Sequence, residues 1–246
     1  MAGDVTDHRG AQVGGLTLEG FARAPRINAW IYGKFAGGVS GDVLEIGSGI
    51  GNLSRLILPD ARSLVLTDVE PSYLRALERD LATDKVAVVP WNLDEPPPPA
   101  LTAAGPRFDT IVAVNVIEHL RDDRAAAGAL ASLLRPGGRL LVYVPACPRA
   151  FGTLDEALGH HRRYTRATLA ALLEGAGLVT SRPRYMNRLG LFGWLMSGRV
   201  LKRRVLSTRM IGWFEQIVDL ARALDVLLTP LPLGLGLVTQ ARKPET

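Results

Sequence analysis

The stretch Asp42-Val-Leu-Glu-Ile-Gly47-Ser-Gly49-Ile-Gly51-Asn52 decides the fold class of this chain. Its first five residues form a short, mostly apolar run that predicts a strand, and glycine then occupies every second position. The residues from Asn52 to Leu58 predict a helix. Glycine lets such a loop turn tightly and lets its backbone approach a ligand closely. A strand, a glycine loop and a helix in this order therefore predict a ligand-binding turn of an α/β protein.

The alternation of short strands with helices continues beyond this stretch. Strands are predicted over residues 63–67, 86–90, 110–114 and 140–144, with helices over 72–82 and 124–134. Strands of this length separated by helices are typical of βαβ units in a parallel sheet. Farther along, we expect a helix over 165–176, a strand over 178–185, mostly helical structure over 189–228 and a last strand over 235–242.

These elements predict a single α/β domain over residues 17–246, preceded by a flexible tail of residues 1–16. Its sheet is expected to be doubly wound, mostly parallel and seven-stranded. A helical insertion at about residues 189–228 is expected before the last strand. The common fold needs only a short connection at that point, so an insertion of this length calls for a reason.

The amino-acid composition excludes several kinds of protein and several kinds of metal site. A chain of 246 residues with 47% hydrophobic and 22% charged residues can bury a core without disulfides. Cys147 is its one cysteine, which excludes a disulfide framework within the chain and any cysteine-based zinc or iron–sulfur site. We expect no metal. Residues 1–15 hold no apolar run typical of a signal peptide, and the longest apolar run, residues 189–198, is too short to cross a bilayer. The sequence therefore favours a cytoplasmic protein.

The charge of the chain is unevenly distributed. The formal net charge is +5, and residues 147–210 hold twelve Lys and Arg against three acidic residues. Such a segment is typical of a surface for an anionic or membrane-proximal partner, and equally of a solvated basic face. Both interpretations stay open at this point.

The spacing of the glycines separates two kinds of nucleotide site. The dinucleotide fingerprint needs its third glycine three residues after the second, and that position is Asn52. Gly51 instead completes a Gly-x-Gly-x-Gly pattern, and the acidic Glu45 stands two residues before Gly47. An NAD-dependent oxidoreductase is therefore disfavoured.

This pattern resembles motif I of the class I S-adenosylmethionine (SAM) methyltransferases, whose domain is Rossmann-like. The resemblance extends from about residue 21 to residue 243 and includes Leu133-Leu-Arg-Pro-Gly-Gly138 before the fifth strand. It implies SAM as the cofactor, with ribose hydroxyls bound by the acid after the second strand and adenine held after the third. The cofactor-binding residues that the resemblance implies are Glu45, Gly47, Ser48, Gly49, Gly51, Asn52, Asp68, Val69, Trp91, Asn92, Leu93, Asn115, Val116 and His119.

Some of these positions have structural alternatives. Glu45 and Asp68 taken singly would be ordinary carboxylates at strand ends, and Trp91 and Leu93 are of types that more often lie in a core. Asn92 stands where many relatives carry Asp. An amide oxygen can still accept a hydrogen bond from the adenine amino group, so this departure changes little.

A second informative stretch is Leu158-Gly-His160-His-Arg-Arg-Tyr164-Thr. It is similar to the G-H-x-R-R-Y-T segment of methyltransferases associated with glycosyltransferases and natural-product pathways. The resemblance implies a role in binding the acceptor. Methyl transfer from a sulfonium needs alignment of the acceptor and removal of its proton, for which histidine is the natural base.

The candidate catalytic residues are His119, His160, His161 and Tyr164. Each has a structural alternative: His119 shapes the cofactor pocket, His160 and His161 are structural, with His160 hydrogen-bonded to backbone, and Tyr164 caps the site with its ring. Arg162 and Arg163 are expected either to pair with Asp155 or Glu156, or to bind a phosphate or carboxylate of the acceptor.

Together these features predict a SAM-dependent methyltransferase acting on a small-molecule acceptor: a saccharide, a lipid-linked compound or a specialised metabolite. An RNA methyltransferase is an alternative that the basic segment supports, but the chain reads Asn115-Val-Ile-Glu118 where base-amine enzymes carry Asn-Pro-Pro-Tyr. A nucleic-acid partner is therefore not favoured. A non-catalytic partner subunit is another alternative, and the intact glycine motif argues against it.

The predicted insertion is rich in large apolar residues. We expect it to form a lid over a hydrophobic acceptor together with the N-terminal helix bearing Phe21 and Trp30. The alternative is that its helices simply pack on the sheet. Its basic cluster, Lys202 to Arg204, is expected to meet an acceptor phosphate or an anionic membrane surface.

Overall fold

The computed structural model describes residues 20, 22–35, 37–229 and 231–245. The predicted tail, residues 1–16, lies outside the described residues, as does Phe21 of the predicted lid.

One mixed sheet forms the centre of the domain. Its strands are β1 (Asp42–Ile46), β2 (Ser63–Asp68), β3 (Val86–Pro90), β4 (Phe108–Val114), β5 (Leu134–Pro145), β6 (Val179–Thr180), β7 (Arg184–Met186) and β8 (Gly236–Arg242). They lie in the order β3-β2-β1-β4-β5-β8-β6, and β7 also pairs with β8. Strands β1 to β5 pair in parallel, whereas β8 is antiparallel to its neighbours. This arrangement confirms the predicted doubly wound, mostly parallel sheet.

The predicted strand over 178–185 is divided into two short strands. Thr180 of β6 pairs with Ala241, and Arg184 of β7 pairs with Val238 of the same neighbouring strand. Pro183 stands between them and has no backbone N–H to donate to the ladder, which accounts for the interruption. The sheet therefore has eight strand segments in place of the seven expected.

The helices lie on both faces of the sheet. They are α1 (Pro25–Gly33), α2 (Ser54–Ile57), α3 (Pro71–Leu81), α4 (Pro99–Thr102), α5 (Asp123–Leu133), α6 (Thr153–Leu158), α7 (Arg166–Gly175), α8 (Arg188–Leu195), α9 (Thr208–Gln216) and α10 (Val218–Leu227). Short 3₁₀ turns follow β4 (Ile117–His119) and β5 (Pro148–Ala150), and a π-helix (Met196–Val200) follows α8. The helix predicted to begin at Asn52 begins two residues later.

The core is divided by the sheet into two apolar clusters. Along β1, Val43 belongs to one cluster and Leu44 to the other, because successive side chains of a strand point to opposite faces. The cluster containing Leu44 is covered by α5 and α7, through Leu130 and Leu169 among others. The cluster containing Val43 is covered by α1, α3, α9 and α10.

The helical insertion is confirmed, and its two halves lie against different parts of the domain. The half formed by α9 and α10 packs with α1 through Ile211, Val218 and Ala221. The half formed by α8 and the π-helix contacts α6, where Thr153 Oγ1 donates to the carbonyl of Gly198. None of the helices in the described ranges is both long enough and apolar enough to cross a membrane.

Candidate active site

The glycine loop runs from the end of β1 to α2 in the left-handed backbone conformation that the predicted turn requires. Gly47, Gly49 and Gly51 have φ angles of +65°, +56° and +81°. A Cβ atom on Gly47 would lie 2.6 Å from Cγ2 of Val116, and one on Gly51 would lie 2.9 Å from Cδ1 of Leu81. Glycine is therefore needed here both for backbone freedom and for space.

Asp68 ends β2 and ties the glycine loop to it. Its Oδ2 accepts a hydrogen bond from the backbone N–H of Gly49 at 2.8 Å. Its Oδ1 accepts from the N–H groups of Val69 and Glu70 at 2.8 and 3.0 Å. A carboxylate offers about four acceptor positions, so the remaining capacity lies on Oδ2. Burial raises the pKa of Asp68, against the lowering effect of these N–H donors.

Glu45 lies beneath the loop, on β1. It is only 4% exposed, and its carboxyl accepts a hydrogen bond from the hydroxyl of Ser54 at the start of α2. Burial raises the pKa of Glu45 to about 7. Its carbonyl oxygen accepts hydrogen bonds from Ser48 and Thr67. These contacts connect Glu45 to the loop, to α2 and to β2 from the buried side.

The segment after β3 places side chains in two different environments. The side chains of Trp91 and Leu93 are buried in the core, and the indole N–H of Trp91 donates to the carbonyl of Glu95. Asn92 between them is exposed, and Val69 after β2 has 63% of its surface exposed. Asn92 and Val69 therefore offer side chains for an adenine contact, whereas Trp91 and Leu93 would contribute through their backbone.

The turn after β4 completes this edge of the sheet. Asn115 has a φ of +53°, a conformation that asparagine tolerates better than most residues. Its backbone N–H donates to the carbonyl of Tyr143 on β5. Val116 packs over Gly47, and His119 ends the 3₁₀ turn with an exposed side chain. Of the residues in this turn that are predicted to hold the cofactor, Val116 lies directly beside the glycine loop.

Asp155, on α6, organises the segment predicted to bind the acceptor. It is fully buried and accepts hydrogen bonds from the N–H of Gly152, Nε of Arg163 and Nε1 of Trp194, at 3.0, 2.7 and 3.2 Å. Nδ1 of His160 lies 2.9 Å from its Oδ1. Burial alone would raise the pKa of Asp155, but His160 and Arg163 hold it below its usual value. Arg163 also stacks on the Trp194 ring at 4.6 Å.

This arrangement decides several of the structural alternatives. The expected pair of Arg163 with Asp155 is confirmed, and the Arg163 side chain is completely buried, which leaves it no surface for an acceptor anion. His160 is held by the side chain of Asp155 in addition to a bond between their backbones. Trp194 reaches this site from the insertion, a contact that the sequence offers no signal for.

Two of the predicted catalytic histidines come together next to a third group. The rings of His119 and His160 pack edge to face, with centroids 4.7 Å apart. Nε2 of His160 lies 4.0 Å from Oε1 of Glu118, a residue for which the sequence predicts no role. Surrounding protein atoms, with His160 and His161, lower the pKa of His119 to about 3, although its surface is partly exposed. Burial raises the pKa of Glu118 to about 8.

The other predicted catalytic residues lie differently. The side chain of His161 is exposed, and its backbone N–H donates to the carbonyl of Glu118. Tyr164 is 3% exposed, and its hydroxyl donates to Oδ2 of Asp123 at 2.8 Å. Burial and this hydrogen bond raise the pKa of Tyr164, which disfavours loss of its proton. A proton relay through Tyr164 stays a prediction.

The glycine loop and its surroundings match a known protein family. Residues 44–140 match the sequence model of a family described as a methyltransferase domain. This match to a methyltransferase domain covers less than half of the chain. It includes most of β1, the glycine loop, Asp68 and the turn after β4, which are the elements that build the candidate site.

Individual relatives share part of the chain. An uncharacterized protein of Mycobacterium tuberculosis is 27% identical over 177 residues, which are 72% of this chain and 61% of that protein. A ubiquinone biosynthesis O-methyltransferase of Xylella fastidiosa is 31% identical over 106 residues, 41% of this chain and 40% of the enzyme. The chain thus spans less than two thirds of the length of these curated relatives.

A solved structure shares the fold of the methyltransferase domain. The N-methyltransferase NodS of Bradyrhizobium japonicum, in complex with S-adenosylhomocysteine (SAH), superposes with a TM-score of 0.57 at 17% identity. The superposition covers 89% of this chain and 87% of NodS. At this identity the likeness concerns the fold alone.

The residues of this site fit SAM on the evidence of their own geometry. The loop at Gly47 and Gly51 has no room for side chains and brings backbone close to a ligand. Asp68 keeps acceptor capacity on Oδ2 for a ribose hydroxyl, and the exposed Val69 offers an apolar surface beside it. Asn92 is exposed at the end of the adjacent strand.

Proposed function

We propose that this protein transfers a methyl group from SAM to a small-molecule acceptor that is a saccharide, a lipid-linked compound or a specialised metabolite. The observation that carries the proposal is the glycine loop held to Asp68 by the Gly49 N–H, within a methyltransferase domain. SAM, when bound, supplies a methyl group on a positively charged sulfonium.

The residues around the loop are proposed to bind the cofactor and the acceptor and to handle the acceptor's proton. The loop backbone and Asp68 bind and orient the cofactor, and Val116 closes the space above Gly47. His119 lies on the 3₁₀ turn that follows β4, at the edge where ligands bind in open α/β sheets, and the His160 ring, on the segment after α6, packs against it. We place binding of the acceptor and handling of its proton at these two histidines.

His119 is better suited to orientation than to proton removal. A pKa near 3 keeps its ring neutral but makes it a weak base, since a general base works best with a pKa near the working pH. A neutral imidazole can still donate or accept a hydrogen bond to an acceptor hydroxyl or amine. His119 is therefore proposed as a positioning group beside His160.

A hydrophobic, lipid-linked acceptor is supported by the surface of the insertion. Phe192, Leu201 and Trp213 have 65%, 54% and 66% of their surfaces exposed. The basic residues 202–204 are exposed within the same segment. Exposed large apolar groups interleaved with basic residues suit peripheral contact with an anionic membrane. The Xylella relative, which is named for ubiquinone biosynthesis, is consistent with such an acceptor.

The insertion remains proposed as part of the acceptor pocket. Trp194 of α8 donates to Asp155, which in turn holds His160, so this half of the insertion reaches the histidine side of the site. The half formed by α9 and α10 packs on the sheet, which agrees with the simpler alternative for those helices. We therefore assign the covering role to α8 and the π-helix.

Transfer of a radioactive methyl group from SAM tests the proposed activity. Purified protein is incubated with methyl-labelled SAM and with separate polar and lipid extracts of cells, and the product is followed into each phase. We expect label in an extractable small molecule, and no label with Gly47→Val, because that side chain collides with Val116. SAH binding without transfer to any extract would favour the non-catalytic interpretation.

The membrane contact has its own test. The triple variant Lys202→Gln, Arg203→Gln, Arg204→Gln is expected to sediment less with vesicles containing anionic lipid, because each basic residue contributes about 1 kcal/mol near such a surface. Vesicles of neutral lipid are the control. Equal sedimentation of variant and wild type would remove the contact. The cytoplasmic location expected from the sequence stays a prediction.

A further inference from the structure

Glu118 is a buried carboxyl group without a hydrogen-bond donor. It is 0% exposed, and neither of its oxygens accepts a hydrogen bond from another residue in the described ranges. A carboxylate in such a position is costly unless a proton or a cation neutralises it. No described Lys or Arg side chain forms an ion pair with it, and Arg163 is engaged with Asp155 and the Ala146 carbonyl. His160 approaches it to 4.0 Å and can pair with it when protonated. A proton or a cation therefore neutralises this carboxyl group.

Two histidines face this carboxyl group. One ligand atom each from Glu118, His119 and His160 can be chosen so that all three lie within 4.8 Å of one another. Nε2 of His160 is 4.0 Å from Oε1 of Glu118. Glu118 and His119 belong to the 3₁₀ turn after β4, and His160 belongs to the segment that follows α6. Their convergence is a product of the fold, and it brings two nitrogen ligands to an unpartnered carboxylate.

The orientation of the His160 ring is fixed by a contact on the side opposite Glu118. Its Nδ1 lies 2.9 Å from Oδ1 of Asp155, so a neutral ring donates its Nδ1–H there and directs the Nε2 lone pair towards Glu118. Asp155 is itself held by Arg163, Trp194 and the backbone of Gly152. Histidines that ligate metals commonly donate their other N–H to a carboxylate in this way.

We propose that Glu118, His119 and His160 bind one divalent first-row transition-metal ion and leave coordination positions open for an oxygen of the acceptor. Two imidazoles and one carboxylate suit Zn²⁺ and its neighbours in the first row. Ligands about 2.1 Å from a tetrahedral ion lie roughly 3.4 Å apart. The distances between the ligand atoms therefore shorten by up to about 1.4 Å on binding, which rotation about the side-chain χ angles supplies.

No metal was expected from the sequence, because a chain with a single cysteine has no cysteine-based metal site. The site proposed here uses carboxylate and histidine ligands. The ion would hold an acceptor hydroxyl at an open position and favour its deprotonated form, while the proton passes to solvent water and the electron pair stays on the oxygen. This role rests on the proposed function. The binding of the ion does not, because it depends only on the three ligands.

Titration of the full chain with Co²⁺ tests the site directly. The protein is first treated with a chelator, and the visible absorption of bound Co²⁺ then reports stoichiometry and coordination. We expect one equivalent to bind and Zn²⁺ to displace it. Glu118→Gln and His160→Gln are each expected to lose this absorption. Asp155→Asn should weaken binding roughly 10- to 100-fold, the usual effect of removing a carboxylate behind a metal-bound histidine.

His161→Gln is the matched control, since His161 neighbours His160 but its exposed side chain is not among the three ligands. It is expected to bind Co²⁺ as the wild type does. Calorimetric titration with SAH, together with thermal unfolding, shows for every variant whether the fold and the cofactor site are intact.

Three results would contradict the metal site. The wild type binds neither Co²⁺ nor Zn²⁺ at one equivalent, or the variants of the three ligands bind Co²⁺ as the wild type does. The third is that His161→Gln weakens Co²⁺ binding as much as His160→Gln does. Failure of the proposed function is distinguishable from these. Loss of SAH binding by the wild type would refute the function and leave the metal site standing. A wild type that binds SAH but no metal would refute the metal site alone. A lower rate of methyl transfer in His160→Gln would then indicate that His160 is a general base.

Discussion

Replacing Asp68 by asparagine should weaken the binding of SAH, because this carboxylate is placed to serve both the glycine loop and the ribose. Its two oxygens accept hydrogen bonds from the backbone N–H groups of Gly49, Val69 and Glu70. An asparagine retains one acceptor oxygen and turns an NH₂ group towards at least one of these donors. The variant therefore loses a charge-assisted acceptor at the position where we place the ribose.

The magnitude follows from the number of acceptor positions. Oδ1 is used by two N–H groups, so the ribose contact falls on Oδ2, which one N–H occupies. Loss of one hydrogen bond to a charged group costs about 1.5–3 kcal/mol. The dissociation constant for SAH should rise roughly 10- to 100-fold. Thermal unfolding should also occur at a lower temperature, since one loop N–H is left without its acceptor.

Isothermal titration calorimetry with SAH measures the effect, and Glu70→Gln is the matched control. Glu70 lies two residues away, carries the same charge, and accepts from the backbone N–H and hydroxyl of Ser72 at the start of α3. Its replacement should leave SAH affinity within about twofold. If Asp68→Asn binds SAH as tightly as the wild type and is folded, Asp68 does not hold the ribose and the placement of the cofactor is wrong.

Three further predictions follow from burial and backbone geometry. Gly51→Ala should lower the unfolding temperature more than Gly105→Ala, because both residues have positive φ but only at Gly51 does a Cβ meet neighbours at 2.9 Å; equal shifts would contradict this. Burial raises the pKa of Glu45 from its unfolded value to about 7, so the folded state keeps a proton that the unfolded chain loses. The free energy of unfolding should therefore fall by up to about 3 kcal/mol as pH rises from about 4.5 to 7. Glu45→Gln should flatten that slope in urea titrations, and an unchanged slope would remove Glu45 as its cause. Tyr164→Phe should cost about 1 kcal/mol of stability through loss of the bond to Asp123, with turnover within a few-fold of wild type; a large fall in turnover would instead support a proton relay.

The sequence alone determined the parts of the protein that depend on neighbouring residues. Apolar runs such as Asp42–Ile46 identified the strands, because the burial of a strand and the alternation of its side chains depend on its own residues. The glycine spacing predicted a tight loop, and its three glycines adopt the left-handed backbone that few other residues tolerate. A helix was predicted over residues 165–176, and Thr165 at its start accepts from the N–H of Thr168, a contact within one turn. The methyltransferase resemblance and the predicted place of the cofactor followed from these local features.

Only the tertiary structure decided which distant groups meet. Glu118 carried no signal of its own, and its place beside His160 depends on how the fold brings the turn after β4 and the segment after α6 together. The same holds for Trp194, whose bond to Asp155 joins residues 39 positions apart. The halves of the insertion share an apolar composition, yet α9 and α10 pack on the sheet while Trp194 of α8 reaches Asp155, which holds His160. Composition and periodicity report that a side chain is buried, whereas the identity of its neighbours is set by the path of the whole chain.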